Sequence, residues 1–186
     1  TILLDCFKEI GINVEKDGSD VKILNSFPQC ETTSKTFDVG EGGTTARFLA
    51  ALLLRGSEAY HLVLGERLSQ RPWGEFLNLA KKFGAKASLQ GRILSVQGPI
   101  HLSGVVEVDC SETTQFATAF QLSFPEAQII PSHLHSSRSY WNMNDKLINE
   151  MKKKSAFRIP LDWSSASYPI AYAALNQEIF FPELEY

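Results

Sequence analysis

Residues Asp5–Glu15 read DCFKEIGINVE and residues Asn78–Ser88 read NLAKKFGAKAS, which is one pattern repeated at a displacement of 73 positions. In both copies an amphipathic run ends at a glycine, Gly11 or Gly84, and this ending predicts a helix stopped by a left-handed residue. Two short strands follow in each copy, with predicted hairpin turns at Asp17-Gly18 and Gln90-Gly91. A helix and hairpin that occur twice indicate a repeat fold.

A second kind of helix alternates with the first. Its members open with a pair of hydroxyl residues, at Thr44-Thr45, Thr113-Thr114 and Ser164-Ser165. They are apolar around most of their circumference, which predicts helices buried inside the domain. Each unit then runs strand, buried helix, strand, second helix, strand, strand. We therefore predict an α/β (α+β) fold of repeated βαβαββ units with buried helices and outer sheets.

The repeat divides the chain into successive units of one partial domain. We predict the end of unit one at residues 1–36, unit two at 37–104, a shortened unit three at 105–161 and the start of the next element at 162–186. The shortening follows from the starts of the buried helices, because Thr44 and Thr113 are 69 residues apart whereas Thr113 and Ser164 are 51 apart. The third predicted hairpin is therefore shorter by about 18 residues.

The composition is that of an ordinary globular protein and excludes several functional classes. Apolar residues make up 44% of the 186 and the net charge is −3, which excludes intrinsic disorder and leaves no basic footprint for nucleic acid. The longest apolar run, Phe48–Leu54, is too short to span a membrane, and we expect no secretory signal. Three widely spaced cysteines predict reduced thiols and a cytoplasmic protein.

The starts of the buried helices are candidate anion sites. A helix N-terminus offers unbonded N–H groups and a positive dipole end, which suit a phosphate or a carboxylate. N-capping by the hydroxyl groups is the alternative. The glycines of Gly40-Glu41-Gly42-Gly43 would let a ligand approach the backbone, with a plain tight turn as the alternative. A Walker loop needs Lys where Gly43 stands, and a dinucleotide fingerprint needs Gly where Thr45 stands, so neither motif fits.

Two arginines are placed where an anion would need them. Arg47 lies one turn into an apolar helix and needs a partner, either Asp162 in a structural ion pair or a bound ligand. Arg71 lies where a loop becomes a helix, where it would hold an anion bidentately or remain a solvated charge. His133 and His135 share one face of a predicted strand without a third ligand, so we predict no metal site.

Four motifs together resemble the enolpyruvyl transferase family. They are GGTTAR at 42–47, which resembles N-A-G-T-x-x-R; GERLSQRP at 65–72, which resembles G…R-[ML]-x-x-R-P; TTQF at 113–116, which resembles S-S-Q-F; and DWSSASY at 162–168, which resembles D-x-S-S-A-S-Y. The last two are similar to the branch that acts on shikimate 3-phosphate rather than on UDP-N-acetylglucosamine.

The resemblance implies two similar domains that close on their substrates, of which this chain covers the first in part. It implies that the 5-hydroxyl of shikimate 3-phosphate adds to C2 of phosphoenolpyruvate while C3 is protonated, and that phosphate then leaves, with no cofactor. The acid, the base and further arginines would belong to the second domain. We therefore expect no turnover by this chain alone, because both sides of the cleft bind the transition state.

The resemblance also assigns binding residues. Phosphoenolpyruvate would be bound by the backbone of Gly43 and by Arg71. Gln115 would lie between the two substrates. The shikimate 3-phosphate site would consist of Thr113, Thr114 and Ser137 around the phosphate and Tyr140 near the ring.

The chain departs from the family pattern at two places that matter for anions. Threonines at 113 and 114 replace the family's serine pair, and Glu41 replaces an asparagine, which would bring a like charge towards the ligand. These departures keep a second hypothesis open, a non-catalytic phosphate-binding module derived from the same fold. The related RNA 3′-phosphate cyclase architecture is disfavoured, because the chain lacks a basic stripe.

Overall fold

The computed structural model describes residues 1–27, 33–135, 137–153, 156 and 163–176. The described helices are α1 (Ile2–Glu9), α2 (Gly43–Leu53), α3 (Glu66–Ser69), α4 (Gly74–Lys82), α5 (Gln115–Ser123), α6 (Arg138–Met151) and α7 (Trp163–Asn176). The described strands are β1 (Val14–Asp17), β2 (Asp20–Ile23), β3 (Lys35–Gly40), β4 (Ala59–Leu64), β5 (Lys86–Gln90), β6 (Ile93–Gln97), β7 (Gly104–Asp109) and β8 (Ala127–Ser132). The chain divides into two compact units, residues 1–144 and residues 145–186.

One complete βαβαββ unit lies in the middle of the first compact unit. Its strands form a single sheet in the order β3-β4-β6-β5. Strands β3 and β4 are parallel, with the buried helix α2 between them in the chain, whereas β6 pairs antiparallel with both β4 and β5. The predicted order of elements and the mixed α and β fold class are therefore confirmed for this unit.

The two copies of the internal repeat end their helices with the same geometry. Gly11 follows α1 with φ of +85°, and Gly84 follows α4 with φ of +90°. In each copy the residue after the glycine, Ile12 or Ala85, donates its N–H to a carbonyl oxygen of the helix at 2.9 Å. This is the bond expected when a left-handed residue closes a helix, so the predicted glycine stops are confirmed.

The first compact unit also contains two sheets of only two strands. Strands β1 and β2 form an antiparallel hairpin, and strands β7 and β8 form a parallel pair. The hairpin corresponds to β5 and β6 of the complete sheet, whereas the parallel pair corresponds to β3 and β4. Each two-stranded sheet is therefore one half of the four-stranded pattern.

The core is built around α2 and α5, which pack against each other as predicted for buried helices. Aromatic rings from α4 and α5 fill the space beside them, and the ring centroid of Phe76 lies 5.9 Å from those of Phe116 and Phe120. These three rings are at most 2% exposed. The close packing of α2 on α5 brings the N-terminal ends of both helices into one region, and this region carries the candidate site.

The predicted burial of the third hydroxyl-led helix is wrong. Helix α7 begins at Trp163, next to the predicted start at Ser164, but Tyr168 is 80% exposed and Tyr172 is 56% exposed. Helices α2 and α5 are buried because a parallel strand pair covers each of them. No described strand of residues 145–186 lies beside α7, so its apolar side chains have no such cover.

None of the helices in the described part of the chain is both long enough and apolar enough to cross a membrane.

Candidate functional site

The glycine loop leads directly into the exposed end of α2. Strand β3 ends at Gly40, whose φ of +53° turns the chain, and the N-cap residue of α2 is Gly42. Among the described residues no side chain caps this end, so hydroxyl capping by Thr44 or Thr45 is wrong for α2. The N–H of Ala46 bonds to the carbonyl of Gly42 at 2.9 Å, which leaves the earlier N–H groups of the turn directed out of the helix end.

Two guanidinium groups converge on Gly43, the first residue of α2. A Cβ atom built on Gly43 would lie 3.4 Å from Nη1 of Arg71 and 3.6 Å from Nη1 of Arg47. Within the described residues, neither arginine forms a salt bridge with a carboxylate. Two like charges beside a helix N-terminus, without an acidic partner there, form a site whose electrostatics favour an anion.

Arg47 is held in an unusually dry position for a cation. It is only 4% exposed, and its Cζ atom lies 5.0 Å from the ring centroid of Phe116 and 5.6 Å from that of Trp73. Its Nε atom is buried and has no hydrogen-bond partner among the residues that the structure describes. Burial first, and then the charge of Arg71, lower the pKa of the Arg47 guanidinium. An anion between the two arginines would relieve both effects.

Gln115 connects the ends of the two buried helices. Its side-chain oxygen accepts a hydrogen bond from Nη1 of Arg47, and its side-chain nitrogen donates to the hydroxyl of Thr44 at 3.3 Å. The amide is therefore oriented by α2 while belonging to α5. The structure thus brings Gly43, Arg47, Arg71 and Gln115 together.

Glu41 has hydrogen-bond partners in the short helix α3, and its predicted effect on an anionic ligand stays a prediction. Its carboxylate accepts hydrogen bonds from the N–H groups of Arg67, at 3.2 Å, and Leu68, at 2.9 Å, in the first turn of α3. It also packs over Gly65, where a Cβ atom would come within 2.2 Å of the carboxylate carbon. Glu41 therefore ties the glycine loop to the short helix that precedes Arg71.

The two threonines at the start of α5 have different surroundings. Thr114 is the N-cap residue and only 5% exposed. Thr113 is half-buried, and its hydroxyl accepts a hydrogen bond from the N–H of Gln115 at 3.2 Å. The Thr113 hydroxyl thus has a local partner, and the Thr114 side chain faces largely into the protein. Their predicted contact with a phosphate stays a prediction.

Ser137 and Tyr140 lie at the start of α6. The carbonyl of Ser137 accepts the N–H of Trp141 at 3.2 Å, and the side chain of Tyr140 is 58% exposed. Asn144, one turn further along, donates to the hydroxyl of Thr118, which anchors this helix on α5. Asp162, the predicted partner of Arg47, lies outside the described residues, so that ion pair stays a prediction.

His133 has a partner that the sequence did not indicate. Its Nδ1 atom lies 3.2 Å from Oδ1 of Asp109, and the backbone of His133 has φ of +51°. The hydrogen bonds from Ser111, ahead of any effect of His133, lower the pKa of the Asp109 carboxyl. Within the described part of the chain no group of three His, Cys, Asp or Glu residues is arranged to hold a metal ion.

Sequence reasoning missed the groups that hold Arg47 in place. Trp73 and Phe116 enclose its guanidinium, and Trp73 is itself fixed by a hydrogen bond from its ring nitrogen to the carbonyl of Leu68 at 3.1 Å. The sequence feature that could have indicated them is their spacing: Trp73 lies two residues after Arg71, and Phe116 directly follows Gln115. Both aromatic residues follow site residues in the chain.

A comparison with protein families matches residues 1–154 to the model of EPSP synthase (3-phosphoshikimate 1-carboxyvinyltransferase). Among curated proteins, the 3-phosphoshikimate 1-carboxyvinyltransferase of Pyrococcus abyssi is 30% identical, over 89% of this chain and 45% of its own length. The enzyme of the same name from Methanococcoides burtonii is 27% identical, over 90% of this chain and 46% of its own. The chain thus spans slightly less than half the length of these relatives.

Solved structures support the same fold. An EPSP synthase from Acinetobacter baumannii superimposes with a TM-score of 0.52 at 15% identity, over 74% of this chain and 33% of that protein. The enolpyruvyl transferase NikO from Streptomyces tendae gives a TM-score of 0.55 at 18% identity, over 78% of this chain and 34% of its own. At these identities the similarity is one of fold.

Proposed function

The chain belongs to the EPSP synthase family, and from that membership we propose that its 186 residues form one substrate-binding half of a 3-phosphoshikimate 1-carboxyvinyltransferase. The observation that carries the proposal is the pair of guanidinium groups on Gly43, which lacks a carboxylate partner in the described residues. The buried free thiols of Cys6 and Cys110 fit a reducing compartment, so a cytoplasmic location is part of the proposal.

Phosphoenolpyruvate is the anion that we assign to the arginine pair. Its carboxylate and phosphate would be held by Arg71, which is exposed and can form bidentate hydrogen bonds, and by the backbone N–H groups at Gly43. Arg47 would act from the buried side of the site, as a positive charge that lowers the free energy of an anion bound at this position. The Gln115 amide would lie beside the bound molecule, because Arg47 and Thr44 fix it there.

Shikimate 3-phosphate would occupy the neighbouring end of α5. We assign its phosphate to Thr113, Thr114 and Ser137, and its ring to Tyr140. Binding of this phosphate requires a conformational change at the threonine pair, because the Thr113 hydroxyl already accepts a hydrogen bond and the Thr114 side chain is buried. Affinity for shikimate 3-phosphate should therefore be weaker than affinity for phosphoenolpyruvate in the chain by itself.

In the proposed reaction the 5-hydroxyl of shikimate 3-phosphate attacks C2 of phosphoenolpyruvate while a proton is added at C3. Loss of a proton from C3 and departure of phosphate from C2 then yield the enolpyruvyl ether. Residues of this chain bind and orient the two anions, and Gln115 separates them. The proton transfers need an acid and a base, which we assign to a second domain, so this chain alone should show no turnover.

The experiment that tests the binding step is a calorimetric titration of phosphoenolpyruvate into the chain at low salt. We expect saturable binding that Arg71→Gln weakens at least about tenfold, since a bidentate charge-assisted contact is lost. Arg67→Gln is the matched control, because Arg67 is an exposed arginine of the same segment. Equal loss in both variants would mean general charge attraction, and no binding by the folded chain would contradict the proposal.

A non-catalytic phosphate-binding module is the second candidate. The engaged hydroxyl of Thr113 and the burial of Thr114 favour it, because both reduce what the chain offers to shikimate 3-phosphate. The two candidates differ when the second domain of the Pyrococcus abyssi relative, made separately, is added to the chain. Formation of the enolpyruvyl product in the mixture supports the transferase, whereas phosphoenolpyruvate binding without product supports the module.

A further inference from the structure

The side chain of Trp73 is linked to both arginines of the site, by two different means. Its indole ring lies beside Arg47, whose Cζ atom is 5.6 Å from the ring centroid. Its indole N–H donates a hydrogen bond of 3.1 Å to the carbonyl of Leu68. The same carbonyl accepts the backbone N–H of Arg71 at 3.2 Å. One side chain is therefore in contact with Arg47 and shares a hydrogen-bond acceptor with Arg71.

Leu68 connects this hydrogen bond to the glycine loop. Its N–H donates to the carboxylate of Glu41 at 2.9 Å, while its carbonyl accepts from Arg71 and Trp73. Its side chain is fully buried, and a Cβ atom built on Gly43 would lie 3.7 Å from its Cδ1 atom. The residue that receives the indole hydrogen bond is thus fixed against the helix end on which the two guanidinium groups converge.

Neutral groups have to hold this arrangement, because the two arginines repel each other. Burial, and then the charge of Arg71, lower the pKa of the Arg47 guanidinium. Within the described residues neither arginine forms an ion pair with a carboxylate. The neutral groups in contact with the Arg47 guanidinium are the rings of Trp73 and Phe116 and the side-chain amide of Gln115. Of these three, Trp73 is the one whose described contacts also lead to the backbone of Arg71.

Trp73 is itself held firmly by the core. Its side chain is 3% exposed, and its ring packs edge-on against Phe76, with the ring centroids 5.9 Å apart and the planes at 87°. The ring centroid of Phe116 lies 5.6 Å away on α5. The backbone of Trp73 forms the N-cap of α4, where its carbonyl accepts the N–H of Leu77 at 3.0 Å. The ring is therefore a fixed reference to which both arginines are attached.

We propose that Trp73 is a positioning residue that keeps the guanidinium groups of Arg47 and Arg71 together at Gly43. This inference rests on the proposed binding of phosphoenolpyruvate at the arginine pair, and Trp73 acts through the arginines. A ligand with two anionic groups gains from two cations held at a fixed spacing, because the free protein has already brought the cations together. Inorganic phosphate is a single anionic group that one arginine can hold, so it gains less. Trp73 thus favours phosphoenolpyruvate over inorganic phosphate.

Calorimetric titration of phosphoenolpyruvate and of inorganic phosphate into Trp73 variants tests the proposal. Trp73→Leu removes the ring and the N–H, so we expect phosphoenolpyruvate affinity to fall about tenfold and phosphate affinity by at most about twofold. Trp73→Phe keeps a ring beside Arg47 and should lose about threefold for phosphoenolpyruvate, which decides the matter if Trp73→Leu does not fold. Phe120→Leu is the control, because this buried ring of the same core packs on Phe76 and Phe124. Equal losses for the two ligands in the Trp73 variants, or the same loss in Phe120→Leu, would overturn the proposal.

A double-mutant cycle separates positioning from a general effect on the fold. If Trp73 acts through the arginines, Trp73→Leu should weaken phosphoenolpyruvate binding less in an Arg71→Gln background than in the parent chain. Losses that simply multiply would show that the tryptophan acts independently of Arg71 and would contradict the positioning role. Unchanged binding by Trp73→Leu, together with a loss in Arg71→Gln, would refute this inference alone. Unchanged binding by Arg71→Gln would instead refute the proposed phosphoenolpyruvate site, and the positioning role with it.

Discussion

We expect Arg47 to be unfavourable for folding and favourable for anion binding. Its guanidinium is 4% exposed, its Nε atom has no partner within the described part of the chain and the charge of Arg71 lies beside it. Each of these features raises the free energy of the ligand-free protein, since a buried charge needs compensation. The cation–π contacts with Trp73 and Phe116 offset part of this unfavourable free energy. A bound anion would provide the rest.

Replacing Arg47 by methionine should separate the two effects. Methionine keeps most of the aliphatic packing and removes the buried charge, so we expect the free energy of unfolding to stay unchanged or rise by up to about 2 kcal/mol. The affinity for phosphoenolpyruvate should fall at least about tenfold. Urea unfolding and calorimetric titration measure the two quantities. A large loss of stability would instead favour a structural ion pair between Arg47 and Asp162.

Glu41 offers a test between two opposite roles for one carboxylate. If it ties the glycine loop to α3, Glu41→Gln should lower the free energy of unfolding by about 0.5–1.5 kcal/mol, because backbone N–H groups lose a charged acceptor at an exposed site. The affinity for phosphoenolpyruvate should then fall about threefold as Arg71 loses its fixed position. Glu15→Gln, at an exposed position of β1, is the control. A rise in affinity would show that Glu41 repels the ligand.

The thiol of Cys110 gives stability a dependence on alkaline pH. Burial, and then the charges of Asp109 and Glu75, raise the pKa of this thiol to about 11. The unfolded chain releases the same proton near its ordinary pKa of about 8.5. Between these values the folded state binds more protons, so stability is complete below the lower pKa and is lost as the pH rises through the higher one.

We therefore expect stability to fall by about 1–3 kcal/mol more between about pH 8 and about pH 10.5 in the parent chain than in Cys110→Ala. Urea unfolding at the two pH values gives the difference between the chains, in which the titration of lysine and tyrosine cancels. An identical pH dependence in both chains would mean that the Cys110 thiol titrates normally in the folded protein.

At the scale of elements, the same helix ending occurs twice, so the energetic cost of replacing its glycine can be compared between the two copies. Gly11 and Gly84 have φ of +85° and +90°, and a Cβ atom on either glycine would meet no atom of the described residues within 4 Å. The cost of a side chain there is therefore one of backbone conformation, without a steric clash with the surroundings. Such a cost is about 1–2 kcal/mol for an alanine in the left-handed region.

We expect Gly11→Ala and Gly84→Ala to lower the free energy of unfolding by that amount, and by similar values in the two copies. Gly74→Ala is the matched control, since Gly74 begins α4 with an ordinary φ and open space around its Cβ position. It should leave stability unchanged or raise it by up to about 1 kcal/mol through helix propensity. Urea unfolding of the three variants decides this, and a loss in Gly74→Ala would contradict the argument.

The elements that could be predicted from sequence are those whose signals are local and repeated. The glycine stops at Gly11 and Gly84 and the complete βαβαββ unit follow from hydrophobic period and turn residues, which act within a few positions. The exposure of α7 could not be predicted this way, because burial depends on which strands cover a helix. The role of Glu41 was missed for the same reason, since its partners Arg67 and Leu68 are distant in the chain.

At the scale of the whole molecule, the groups that we propose to bind the anion and the hydrophobic core lie in the same compact unit. Gly43, Arg47, Arg71 and Gln115 belong to residues 1–144, and so does every member of the described core, from Cys6 to Trp141. The side chains described in α7 are largely exposed, as Tyr168 shows. We expect the described core and the proposed phosphoenolpyruvate site to form from residues 1–144.

A chain that ends after Lys153 tests this expectation, because it keeps the whole of α6 and removes α7. We expect its free energy of unfolding to remain within about 1 kcal/mol of the parent value, since little apolar surface of α7 is buried. Its affinity for phosphoenolpyruvate should remain within about twofold, which titration calorimetry measures. A shortened chain that folds but no longer binds would mean that residues after 153 reach the arginine pair. In that case Asp162 is the first residue to replace by asparagine, because its carboxylate was predicted to pair with Arg47.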